Sequence, residues 1–175
     1  MNHDRRTMIA AASLLAAFPL TAHAASPMEG KPMSRLYPVL LAVIAAWKTQ
    51  DVEGVLSHVT DDIVWQNSGG YAPAIQGKAA MREALSKMAP IIAESHWRIF
   101  DYAESETRLF MEGVDEFKTK DGHRVAIPYA GVLVFRGGLI SEWREYFDGR
   151  LSALMKSSAG VPASVDALLA RPVAK

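Results

Sequence analysis

The chain has 175 residues, half of them hydrophobic, with 19 basic and 19 acidic side chains, no cysteine and a formal net charge of zero. That length suits one domain with a real core, and the lack of a basic run argues against nucleic acid as a partner. The missing cysteines exclude disulfides, thiolate metal sites and a cysteine nucleophile, and are neutral about compartment.

The chain opens with the paired arginines Arg5 and Arg6, an apolar run from Met8 to Leu20, and the small-x-small site Ala22-His23-Ala24. This order is that of an export signal, and the arginines resemble the twin-arginine type. An uncleaved membrane anchor is the competing reading, but the run is short against the ~20 residues of a span. The expectation is cleavage near Ala24-Ala25 and a periplasmic or secreted protein with no stable membrane span afterwards. Residues 25–32 read as a linker, 33–156 as the folded domain and 157–175 as a tail.

From Ser34 to Gln50, Leu36, Leu40, Val43, Ile44 and Trp47 recur at helical spacing, with Pro38 in the first turn. Asp51 caps a short second helix to Leu56, Val59–Asp62 reads as a turn, and Ile63–Asn67 as a short strand. Gly77–Ile92 reads as a third helix with Ala80, Met81, Ala84, Leu85 and Met88 inward. The period then changes from 3.6 to 2. Ser95–Glu104, Arg108–Lys118, Arg124–Arg136 and Leu139–Phe147 read as four strands, the last three joined by the hairpin turns Asp121-Gly122 and Gly137-Gly138. A short helix at Gly149–Lys156 closes the domain. The tail holds one short helix at Val165–Ala170 or is irregular. Helices first and a meandering antiparallel sheet last make the chain α+β.

Alternation along the last strands directs two acids, Asp115 and Glu145, into the same apolar interior as Met111, Phe117, Trp143 and Phe147. Burying an unpaired carboxylate costs several kcal/mol or forces a pKa shift, roughly by the amounts seen for desolvated acids. The two are therefore the first candidates for acid–base chemistry. The bland reading is that they are rim residues paired with surface lysines. His58, His96 and His123 lack ligand spacing, so no metal is expected. His96 is open as an inward-facing spare base. No nucleotide-binding or nucleophile-elbow motif is present, so no cofactor is implied.

Three stretches carry a family resemblance: Trp65-Gln66-Asn67, Glu112-Gly113-Val114-Asp115-Glu116-Phe117 and Trp143-Arg144-Glu145-Tyr146-Phe147-Asp148. In that order, over roughly Met33 to Leu154, they resemble the limonene-1,2-epoxide hydrolase and SnoaL-like branch of the nuclear transport factor 2-like superfamily. The resemblance implies a cone-shaped, curved antiparallel or mixed sheet with N-terminal helices in its concave face, and a homodimer. The epoxide hydrolases of that branch bridge two acids by an arginine, and hold a water with a tyrosine, an asparagine and one of the acids. Carried over, Asn67 matches the water-holding asparagine, Asp115 the proton donor and Glu145 the base. Trp65 stands where tyrosine would be, and Gly113 where arginine would be. Asn67 also suits a strand-end turn, and Gly113 also suits a bend or bulge. Trp65, Met111, Gly113, Phe117, Trp143 and Phe147 are the expected substrate-binding positions. Without the arginine, two near carboxylates cannot both stay ionised and one proton is shared.

Two readings follow. One is a cofactor-free acid–base enzyme on a small hydrophobic molecule, hydrolysing an epoxide or, in a SnoaL-like variant, isomerising or cyclising a carbonyl compound. The other is a non-catalytic exported protein that binds a hydrophobic ligand.

Overall fold

The computed structural model describes residues 34–67, 70–157 and 160–175. The expected export signal (1–24) and linker (25–32) lie outside the described residues.

Helix α1 (Tyr37–Lys48) buries Tyr37, Leu40, Val43 and Trp47. It has no side-chain cap of its own. Its first N–H groups are held instead by the Glu104 carboxylate, which accepts from the backbone of Arg35 (3.1 Å), Leu36 (3.2 Å) and Tyr37 (2.7 Å) and from the Ser34 hydroxyl. A negative group at a helix N-terminus satisfies orphan donors and opposes the helix dipole favourably. Helix α2 (Val52–Leu56) is capped as its sequence implies, the Asp51 carboxylate accepting from Gly54 N at 2.9 Å. Helix α3 (Lys78–Met88) buries Met81 and Leu85, and Pro90 falls in the 3₁₀ turn Ala89–Ile91 that ends it. Ala80, expected inward, is exposed.

The strands are β1 (Val59–Gln66), β2 (Ile75–Gln76), β3 (Ile92–Glu104), β4 (Arg108–Thr119), β5 (Arg124–Arg136) and β6 (Leu139–Tyr146). They form one six-stranded sheet in the order β2-β1-β6-β5-β4-β3. The sheet is mixed: β1 runs parallel to β6 and every other pair is antiparallel. The turn expected at Val59–Asp62 is therefore strand. An irregularity between Val59 and Val64 exposes both Asp61 and Asp62, and that polar pair resembles a turn in sequence. Gly122, Gly137 and Gly138 have positive φ, as the two hairpin turns require.

Trp97 on β3 and Trp143 on β6 stack with centroids 5.7 Å apart. Two strands lie between them, and a flat sheet would separate such positions by roughly 14 Å. The sheet must therefore curl around its inner face. Helices α1–α3 pack into that face through Leu40, Val43, Val55, Leu56, Met81 and Leu85. A second apolar cluster joins Phe100, Val114, Val125 and Ala126 of the sheet to Met155 of α4 (Gly149–Met155) and Val165 of α5 (Ala163–Leu169). Both α4 and the tail helix α5 thus have a packing reason.

Candidate active site

The curl leaves a cavity of about 260 Å³ between the inner face and the helices. Trp65, Trp97, Trp143, Phe117, Tyr129 and Phe147 form its aromatic wall, and Val43, Trp47, Val55 and Leu85 its helical side. Trp65 and Trp143 meet at 5.9 Å, and Trp97 and Tyr129 at 6.1 Å. Asp115, Glu145 and Asn67 also line it. Seven of the expected positions thus surround one space. Met111 and Gly113 do not line it, although they share the inner face of β4.

Gly113 has a different reason to be glycine. A Cβ there would lie 2.1 Å from the Arg98 carbonyl oxygen, at an irregularity of the β3–β4 ladder between Ile99 and Asp101. No side chain fits, so Gly113 serves close backbone approach and not substrate contact. Met111 stands behind Tyr129, whose hydroxyl lies 3.9 Å from its sulfur. No arginine among the described residues lines the cavity. Arg98 donates to Glu116 at 2.9 Å and Arg144 pairs with Glu142. His96 is exposed, 3.5 Å from Glu94, so it is no spare base for the cavity.

Glu145 stands opposite Gly131, which stands opposite Met111. Asp115 lies on β4, two strands from Glu145, with Tyr129 of β5 on the strand between them. Burial lifts the Asp115 carboxyl to about 6. Burial, and then the charge of Asp115, lift Glu145 to about 8 against the N–H donors of Trp65 and Trp143. The repulsion is mutual, so the two values belong to the pair, which holds one proton between about pH 6 and pH 8. Its location follows from the donors. Trp65 Nε1 donates to Glu145 Oε2 at 3.4 Å, which favours the anion there. Trp143 Nε1 also acts on this carboxyl, without a hydrogen bond of good geometry. Asp115 Oδ1 is buried and has no partner. The donors therefore favour Glu145 as carboxylate and Asp115 as acid, although the higher of the two values is attached to Glu145.

Tyr129, absent from the sequence-derived site, obeys the same alternation that singled out the acids. Burial and the charge of Glu145 keep its hydroxyl protonated well above the usual tyrosine range. It accepts from Trp97 Nε1 and donates only to the weak acceptor Met111 Sδ, which a substrate oxygen would outcompete. Ser152 of α4 and Lys156 at its C-cap also line the cavity, as do Met88 and Ile127.

Residues 40–143 match the family model of the SnoaL-like domain. The chain belongs to the SnoaL-like domain family. No curated protein matches it significantly. Several solved structures share the fold of this SnoaL-like chain. An LEH-like epoxide hydrolase of M. tuberculosis is 21% identical, with 69% of this chain and 88% of that one covered and a TM-score of 0.60. TerC, co-crystallised with polyporic acid, is 22% identical over 71% of this chain and all of its own, with a TM-score of 0.61. An NTF2-like protein of unknown function from Burkholderia pseudomallei is 21% identical, with coverage of 71% and 97% and a TM-score of 0.58. At such identities the likeness shows the fold, which is the cone-like α+β architecture that the sequence motifs imply.

Proposed function

We propose that this chain is a cofactor-free acid–base enzyme acting on a small hydrophobic molecule, and that the reaction is opening of an epoxide by water. The observation that carries this reading is the pair Asp115 and Glu145, both lining one aromatic-walled cavity in which no described lining residue is an arginine. Glu145 takes a proton from a water at Asn67. The water oxygen bonds to a ring carbon, the carbon–oxygen bond breaks, and the leaving oxygen takes the proton of Asp115. The product is a diol. The pair begins and ends with one proton, moved from Asp115 to Glu145, and one transfer back resets it. A bridging arginine would support two carboxylates; a pair that always keeps one proton needs less positive charge. General acid–base assistance of this kind is worth about a hundred- to ten-thousand-fold.

Tyr129 favours a second reading. Its hydroxyl and the acid form of Asp115 suit a carbonyl oxygen as two hydrogen-bond donors, while Glu145 removes the neighbouring proton, as in an isomerase or cyclase. The leader-like residues 1–24 assign either activity to the periplasm or beyond, with Ala25 as the expected first residue on N-terminal sequencing.

Purified protein should convert members of a panel of small cyclic epoxides to diols, and Asp115→Asn should abolish turnover. The kcat/KM profile should be bell-shaped with limbs near pH 6 and pH 8, because both proton-free and doubly protonated pairs are inactive. Proton exchange from enolisable ketones without diol formation would select the second reading. Ligand binding with neither reaction would leave a binding protein.

A further inference from the structure

The cavity has a polar end that the acid–base reading does not use. Ser152 on α4 and Lys156 at its C-cap lie four residues apart and both line it. Lys156 is exposed, which places it at the rim, whereas Asp115 and Glu145 lie deeper among the tryptophans. It is the single cation among the described lining residues.

What separates this lysine from ordinary surface charge is its place in the lining: Lys48, Arg108 and Lys120 likewise form no ion pair among the described residues, but they do not line the cavity.

We propose that the substrate is an aromatic or polycyclic acid, whose rings fill the tryptophan-lined interior and whose anionic group is held at the rim by Lys156 with Ser152. An ammonium group offers three donors on a flexible stem. A neutral substrate would gain nothing from it. An anionic one entering a cavity that already carries one negative charge needs a cation at its far end, and Lys156 sets which end enters first. This assignment rests on the cavity being the substrate site, and adds a chemical class to it.

The test uses two probes of the same ring system, 1-naphthoate and 1-naphthalenemethanol, titrated calorimetrically into the full chain at pH 7 and low salt. The carboxylate should bind more tightly than the alcohol by about two- to fivefold, a preference of the size expected for one partly exposed ionic contact. Lys156→Met should remove that preference and leave the alcohol's affinity unchanged. Its exposure makes the variant safe for folding. Equal binding of the two probes by the unmodified chain, equal weakening of both by Lys156→Met, or no binding of either up to its solubility would each overturn the proposal. Binding needs no turnover, so the two readings fail separately. Carboxylate preference without any reaction removes the enzyme and keeps the anion site. Turnover of neutral epoxides without carboxylate preference does the reverse.

Discussion

Glu145 is a costly residue for the fold, and that cost is measurable. Its carboxyl is raised to about 8 by burial and by Asp115, whereas an unfolded glutamate titrates near 4.3. The value belongs to the pair: up to about pH 8 the folded pair keeps a proton that the two unfolded carboxyls would have released, so the protonated pair is preferred in the fold. Stability is then fully present below about pH 4 and declines until the pH passes about 8. The loss is on the order of 3 to 5 kcal/mol at one pKa unit per 1.36 kcal/mol. Glu145→Gln keeps the shape and removes the charge. It should melt higher than the unmodified protein at pH 9, match it at pH 4 to 5, and have no activity; a variant less stable at pH 9 would refute the buried-anion picture. Gly113 gives the opposite case. A methyl group 2.1 Å from the Arg98 carbonyl oxygen must displace backbone, so Gly113→Ala should cost about 1–3 kcal/mol or more, read as a lower denaturant midpoint. The same collision explains why arginine cannot be restored at this position as a simple gain of function.

At the scale of elements, α1 depends on a residue 67 positions away. Glu104 at the end of β3 accepts from Tyr37 N at 2.7 Å and from its two predecessors. Glu104→Ala leaves the first turn of α1 with only the Ser34 hydroxyl, which accepts from Tyr37 N at 3.3 Å, and cap losses cost about 0.5–2 kcal/mol. We expect a drop of that size in chemical denaturation and faster amide exchange at Tyr37–Leu40, with the rest of the sheet protected. Such long-range partners explain what the sequence could and could not tell. Alternation placed β3 to β6 within a few residues, and glycine pairs placed their turns, because both signals are local. The parallel seating of β1 on β6 carries no local signal, so Thr60-Asp61-Asp62 read as a turn. Asp115 and Glu145 were legible because charge in an apolar alternation is conspicuous. Tyr129 follows the same alternation, yet tyrosine in a core draws no notice. Lys156 reaches the cavity only through the docking of α4, which no periodicity reports. Gly113 showed its residue type in the sequence, while its reason, the Arg98 carbonyl, belongs to the neighbouring strand.

At the scale of the whole molecule, the tail fastens the outer face of the sheet to its edge. Helix α5 seats Val165 on the cluster of Phe100, Val114, Val125 and Ala126. Arg124 reaches Asp166 at 2.7 Å, and Arg171 grips Glu112 at 2.6 Å while lying 4.7 Å over the Phe100 ring. The chain then crosses the edge strand β3, where Ala174 N donates to Ile99 O at 2.8 Å and its carbonyl accepts from Tyr37 Oη at 3.3 Å. One segment therefore contacts the outer face, the sheet edge and the helix that roofs the cavity. Removing residues 161–175 would uncover the Phe100 cluster and release Tyr37 together. Burial of Val165 alone is worth about 1.5–3 kcal/mol, and each kcal/mol moves the midpoint of a domain this size by roughly 2–4 °C. The truncated chain should melt at least about 5 °C lower and bind a hydrophobic dye that the full chain does not. The cavity residues are untouched, so ligand affinity measured well below the new midpoint should stay within about twofold, since additivity holds for sites without shared partners. An unchanged midpoint would show that the tail is ornamental; a collapse of ligand affinity at low temperature would show that the strap, through Tyr37 and α1, also sets the shape of the cavity.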